Sequence, residues 1–217
     1  MMTDSKSRQG MLIIISSPSG AGKTSVSKKI LERDHHITFS VSATTRKPRS
    51  GEINGQEYFF ISQRKFQEMV SDNEFLEYAE VFGNSYGTPR KSVENALQSG
   101  KDVLFDVDWQ GGLNLRRSNL KKFVVSIFIL PPSIKELNNR LVSRGQDSNE
   151  IVRARMLEAK DEISHWREYD YVLVNDNLDQ VHADINSIIR AERLKRTRQN
   201  SLNVFVSSLN SEFKENF

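Results

Sequence analysis

The stretch Met11-Leu-Ile-Ile-Ile-Ser-Ser-Pro-Ser-Gly-Ala-Gly-Lys-Thr-Ser25 decides how the rest of the chain is read. Met11 to Ile15 is a continuous apolar run too short for a membrane span, which predicts a strand buried on both faces of a parallel sheet. Pro18 and Ser19 are turn formers, Gly20 and Gly22 allow backbone angles closed to other residues, and Val26, Ile30 and Leu31 begin a helical apolar face. The local order is strand, glycine loop, helix. In such a loop successive N–H groups converge at the positive end of the helix dipole, so main-chain donors can wrap a polyphosphate. Lys23 adds a mobile cation, and Thr24 stands where a hydroxyl ligates the Mg²⁺ that accompanies a nucleoside triphosphate. The pattern G-x-x-x-x-G-K-[ST] is met except at its first position, where Ser17 replaces glycine, so that position has to tolerate a Cβ.

Composition narrows the class. At 217 residues, with 37% hydrophobic and 27% charged, the chain suits one globular domain with a substantial core and a well-charged surface. No segment approaches the roughly 20 apolar residues that a bilayer needs, and the polar start Met-Met-Thr-Asp-Ser-Lys-Ser-Arg-Gln-Gly10 lacks a signal-peptide core, so a cytoplasmic location is expected. Zero cysteines exclude disulfides and thiolate metal sites, and His35, His36, His165 and His182 have no zinc spacing. A formal charge of +3 gives no reason to expect general nucleic-acid binding, and neither a specific nucleic acid nor a membrane is an expected partner.

Strand and helix signals alternate along the chain, the pattern of an α/β fold with a mostly parallel sheet. Ile37 to Ser42 reads as a second strand. Ala43 to Gln56 is too rich in charge, Gly and Pro for an element interior, and Tyr58–Ile61 returns to strand character. Ser62 is placed to cap a short helix carrying Phe66, Met69 and Val70, Phe75–Phe82 reads as a strand, and Asn84–Gly87 as a turn. Residues 43 to 93 thus form an insert between core elements. Pro89 opens a helix closed by Gly100, and Val103–Asp108 is a strand ending in two carboxylates. Lys122–Leu130 is the longest buried-strand candidate, and a helix around 133–142 with Leu137 and Leu141 one turn apart follows. Beyond the polar segment 143–150, a helix with Ile151, Met156, Ala159 and Ile163 leads to a last strand, Tyr169–Val174, and a final helix, Leu178–Leu194. The basic stretch Arg190 to Arg198 reads as a helix end favoured by its cations, followed by a floppy or partner-docked tail.

A phosphate loop implies only that phosphate is bound, so the acceptor must be sought elsewhere. Arg46 and Arg49 flank a stiffening Pro48, and Tyr58 can donate from a strand edge; two guanidinium forks and a phenol suit a phosphate monoester. With these residues in hand the chain resembles the guanylate kinase family over about residues 10 to 190. The likeness rests on SSPSGAGKTS, SVSATTRKPRSGEINGQEYFF, NEFLEYAEVFGNSYGTPR, DVLFDVDWQG, ILPPSIKELNNRLVSRG and VLVND, six blocks in family order.

The resemblance implies a P-loop nucleoside-monophosphate kinase fold: a mostly parallel five-stranded core sheet flanked by helices, a GMP-binding insert and a helical lid. It implies phosphoryl transfer from ATP to GMP, and dGMP, with Mg²⁺ as cofactor. On that basis the core is residues 10–42, 94–132 and 169–190, the insert 43–93, the lid region 133–168 and a basic extension 191–217. ATP is expected on Ser17, Pro18, Ser19, Gly20, Ala21, Gly22, Lys23, Thr24 and Ser25, with Arg140, Arg144 and Asn175. GMP is expected on Ser42, Arg46, Arg49, Tyr58, Glu77, Tyr86, Thr88 and Asp108, the first arginines and the tyrosines on phosphate, Ser42, Glu77 and Thr88 on the base. One carboxylate can accept from guanine N1–H and N2 together, whereas adenine would face it with an acceptor and leave a desolvated charge unmatched.

The expected catalytic set is Lys23, Arg46, Arg140, Arg144, Asp106 and Asp108. The two aspartates orient Mg²⁺ waters, nearby arginines or the acceptor nucleotide, and the sequence does not divide these tasks. Arg140 and Arg144, one helical turn apart, share a face, and Arg153 and Arg155 follow in the lid. Two rivals stand beside this reading: a non-catalytic guanylate-kinase-like interaction module, and a P-loop kinase of another nucleoside monophosphate. Lys23, both loop glycines and the two sets of arginines together argue against the first, and a panel of acceptors decides the second.

Overall fold

The structure, a computed structural model, describes residues 8–49, 51–81, 83–143 and 149–216. In chain order the first half comprises β1 (Leu12–Ser16), α1 (Lys23–Arg33), β2 (Ile37–Phe39), β3 (Ser42–Thr44), β4 (Tyr58–Phe60), α2 (Gln63–Ser71), β5 (Phe75–Val81) and β6 (Asn84–Pro89). The second half comprises α3 (Arg90–Gln98), β7 (Asp102–Asp106), α4 (Trp109–Arg117), β8 (Val124–Leu130), α5 (Ile134–Ser143), α6 (Asn149–Ser164), β9 (Tyr171–Val174), α7 (Leu178–Arg193) and α8 (Leu202–Asn216).

Five strands in the order β2-β7-β1-β8-β9 form a wholly parallel sheet with β1 at its centre. The apolar run of β1 is explained by its two faces. Ile13 and Ile15 pack with Val26 and Ile30 of α1 and Val181 and Ile185 of α7, while Leu12 and Ile14 pack with Val93 and Leu97 of α3 and Leu115 of α4. All five residues of β1 are buried. Each such Leu or Ile contributes roughly 2 kcal/mol of burial, so a charge anywhere in β1 would break the core.

A second sheet, in the order β4-β3-β6-β5, stands apart from the first. It pairs β3 with β4 in parallel and β6 with both β3 and β5 in antiparallel fashion, over a small core of Ala43, Phe66 and Phe75. Ser62 caps α2 as expected, accepting from the Lys65 amide at 3.2 Å.

Several expectations need correction. The run Ile37 to Ser42 is divided between sheets: Ser40 donates its amide to Leu104 O in the core, whereas Ser42 already pairs with Tyr58 in the second sheet. Asn84–Gly87 is not a turn but the start of β6, because its backbone is claimed by β3 and β5 on both sides. The Val103–Asp108 strand ends at Asp106, and Asp108 instead caps α4, accepting from the Gly111 amide at 2.8 Å. Leu178–Leu194 is not the final helix, since Leu202–Asn216 forms α8, with Val204, Phe205 and Phe213 exposed.

The basic stretch before α8 is also built into the fold. Arg193 donates from Nε to Asp102 at 2.8 Å and pairs with Asp34 at 2.7 Å, and Arg8 reaches the same fully buried Asp102 at 2.6 Å. Glu192, itself buried, accepts from the Tyr171 hydroxyl at 2.8 Å and pairs with Lys195 and Arg198.

Candidate active site

The loop after β1 leaves the carboxyl edge of the core sheet and turns into α1. Gly20 and Gly22 have φ of 92° and 99°, a region open at low cost only to glycine. The second is the N-cap of α1, and a Cβ there would stand 2.4 Å from the Asn175 side-chain nitrogen. Ser17 is not in that strained region, and its hydroxyl donates to Pro18 O at 3.1 Å, which is how the loop accommodates a residue other than glycine at its first position. Pro18 and Ala21 are buried, Ser19 is partly so, and Thr24 and Ser25 are exposed on the first turn of α1.

Asn175, expected beside ATP, lies behind the loop. It is buried and donates from Nδ2 to Ala21 O at 2.7 Å, while its own carbonyl accepts from Arg140 at 3.1 Å. Arg140 is held on its other side by Glu136 at 2.9 Å. The Arg144 expectation lies outside the described residues.

Lys23 sits where β1 meets β7. Ile15 is in register with Asp106, which brings that carboxylate beside the loop, and Lys23 Nζ lies 2.7 Å from Asp106 and 3.1 Å from Val107 O. Burial works to lower the Lys23 pKa, but the Asp106 and Asp108 carboxylates outweigh it and the ammonium is held above its usual range.

The second sheet brings the aromatic and cationic groups together. Ser42 is opposite Tyr58 and Thr44 opposite Tyr86, and the two phenol rings are 5.8 Å apart. The Arg46 guanidinium lies over Tyr58 at 5.4 Å and over Phe60 at 5.7 Å. Its fork is engaged by Glu52 at 2.8 and 3.0 Å, and Glu52 also accepts from the Arg49 amide at 2.6 Å. Burial pushes the Tyr58 phenol up, Tyr86 and Asp106 add to that, and Lys23 and Arg46 oppose it.

The third cluster joins the two sheets. Glu77 on β5 is buried and accepts from the Thr88 hydroxyl on β6 at 2.6 Å. A Cβ on Gly111 would lie 3.4 Å from Glu77 Oε2 and 3.3 Å from Asp108 Oδ1, so the first turn of α4 packs closely against both carboxylates. Burial pushes the Glu77 carboxyl up to about 7, opposed by the Thr88 hydrogen bond and reinforced by Asp108.

A sequence model of the guanylate kinase family matches residues 9–192. The chain belongs to the guanylate kinase family. It is 56% identical over 207 residues to the guanylate kinase of Cereibacter sphaeroides, covering 95% of this chain and 98% of that one. With the guanylate kinase of Paramagnetospirillum magneticum it shares 55% identity over 203 residues, 94% of each chain. A crystal structure of guanylate kinase from Anaplasma phagocytophilum superposes with a TM-score of 0.76 at 40% identity, covering 92% of this chain and 95% of that chain.

In this guanylate kinase fold, sequence reasoning missed Glu52 and Glu162. Glu162, on α6, accepts from the Ser19 amide of the loop at 3.1 Å. A lone carboxylate in a charged segment carries no pattern of its own; only the hydrogen bonds of Arg46 and Ser19 single these two out.

Proposed function

We infer that the protein is a phosphotransferase that moves the γ-phosphoryl group of ATP to GMP, giving ADP and GDP, with dGMP as a second acceptor. The observation that carries this is the meeting of the two sheets at Gly111, where a Cβ would lie 3.4 Å from Glu77 Oε2 of the second sheet and 3.3 Å from Asp108 Oδ1, two residues beyond the Asp106 that pairs with Lys23 of the loop. A donor anion on the loop and an acceptor anion on the second sheet would thereby face one another. The acceptor oxygen belongs to a phosphate that is already anionic, so no general base is required and the work is alignment and charge neutralisation.

The roles follow from position. Ser19 to Thr24 present main-chain donors to the triphosphate, and Lys23 leaves Asp106 to follow the transferring group. Arg140, braced between Glu136 and the Asn175 carbonyl, faces the loop from α5. Arg46, Arg49, Tyr58 and Tyr86 take the GMP phosphate once it displaces Glu52 from the Arg46 fork. Ser42, Glu77 and Thr88 read guanine, and Asp108 fixes the start of α4 against them. Residues 43–93 act as the GMP-binding part and 133–168, with Arg144, as the lid.

Among the described residues no group of three or more His, Cys, Asp or Glu forms a metal cage. The Thr24 hydroxyl and the Asp106 carboxylate are hard oxygen donors on adjacent elements, and they suit a Mg²⁺ that takes its remaining ligands from phosphate and water. When bound, Mg²⁺ neutralises phosphate charge. Among the described residues no helix is long and apolar enough to cross a membrane, and a cytoplasmic enzyme is the reading we favour.

A coupled assay of ADP formation with and without GMP tests the reaction. ADP that appears only with GMP supports it, and GMP-independent ADP release overturns it.

A further inference from the structure

Glu162 and Ser19 are 143 residues apart in sequence, yet the carboxylate on α6 accepts from the loop amide at 3.1 Å. The N–H groups of this loop are donors for phosphate oxygen, and a carboxylate offers the same acceptor chemistry. Burial pushes the Glu162 carboxyl up, against the pull of the Ser19 amide and of Lys23, while Glu158 and Asp108 add to the upward shift. Glu162 is therefore inside the field of the groups that hold the triphosphate. Three residues on, His165 stacks on Trp109 with ring centroids 3.7 Å apart and planes 10° from parallel, and Trp109 directly follows Asp108. The end of α6 thus touches the phosphate loop through Glu162, and the turn that follows it touches the start of α4 through His165.

We propose that Glu162 is a positioning residue that occupies the Ser19 amide as a stand-in for a triphosphate oxygen, so that ATP must displace it to bind. The stack of His165 on Trp109 keeps the end of α6 attached while the carboxylate lets go. Release of Glu162 is then the event by which α6 registers the nucleotide. ATP competes with an internal ligand, and its apparent affinity falls below the intrinsic one by the fraction of molecules in which the amide is free. This rests on the reading that ATP binds the loop.

The test is the Kd for Mg·ATP and for GMP, measured separately by calorimetry on the full chain. Glu162→Asp keeps the charge but withdraws it from Ser19, and Glu162→Ala removes both. Each is expected to bind ATP about five- to tenfold more tightly than the wild type, the size of one lost charge-assisted hydrogen bond shared with partial occupancy, with GMP affinity unchanged. Glu162→Gln, which keeps the shape and a weaker acceptor, should gain about two- to threefold and serves if the shorter variants fold poorly. Unchanged or weaker ATP binding in the Asp and Gln variants overturns the proposal. So does tightening in Ala but not in Asp, which would make the effect through-space charge alone. Failure of wild-type protein to bind ATP is a different result and would remove the reading of the loop itself.

Discussion

The Thr88 hydroxyl donates to Glu77 Oε1 at 2.6 Å inside a buried site, and that single bond works against a desolvation that pushes the carboxyl up to about 7. In its proposed role on guanine, Glu77 has to be an anion, since N1–H and N2 are both donors. GMP binding below pH 7 must therefore expel a proton, and KM for GMP should rise about tenfold for each pH unit below that point. Initial-rate titrations from pH 5.5 to about 8 check this. Glu77→Gln should flatten the profile and erode selectivity for GMP.

The same shift has a consequence for stability. A carboxyl whose folded pKa is raised contributes stability that is complete below its unfolded value near 4.5 and is lost as pH climbs through about 7. The loss is on the order of 3 kcal/mol. Thermal melts between pH 5 and 8 should show a smaller decline for Glu77→Gln than for the wild type.

Lys23→Ala should lower kcat/KM by about a thousandfold or more, because it removes the cation proposed to follow the transferring group. It also leaves Asp106 without the ammonium now 2.7 Å away. Circular dichroism should report a folded protein in which the steady-state rate is lost.

Asn175→Ala should weaken ATP binding although the side chain faces the back of the loop. It removes the 2.7 Å bond to Ala21 O and leaves a buried carbonyl without its donor, at a cost of about 1–3 kcal/mol. Calorimetry with ATP, alongside a melting curve, separates the loss of affinity from the loss of fold.

Much of this was legible in the chain, for local reasons. The sequence from Met11 to Ser25 dictates strand, loop and helix through neighbours alone, and Ser62 announces α2 in the same way. What failed depended on distant partners. Asn84, Ser85 and Gly87 are turn formers by propensity, yet β3 and β5 recruit them as a strand. The helix α4 was hidden by Gly111 and Gly112, whose missing Cβ atoms admit Glu77 and Asp108 at one and the Tyr169 hydroxyl at the other. Glu52 and Glu162 have no pattern at all until the fold lays them on Arg46 and Ser19.

The end of the chain offers a clean contrast. Truncation after Ala191 would leave the fully buried Asp102 to Arg8 alone and remove the buried Glu192 from Tyr171, so the product should melt at a lower temperature than the full chain. Truncation after Asn200 removes only α8 and should leave the melting temperature and the steady-state rate close to those of the full chain. Parallel melts and assays of the two products check both statements.

The most direct test of the central claim is the acceptor preference of the wild-type protein and Glu77→Gln, read as ADP formed from ATP with GMP, AMP or UMP. GMP should be preferred by orders of magnitude in the wild type, and the margin should shrink in the variant while the fold persists. A wild type that turns over AMP or UMP faster than GMP, or a variant whose selectivity is unchanged, would contradict that claim.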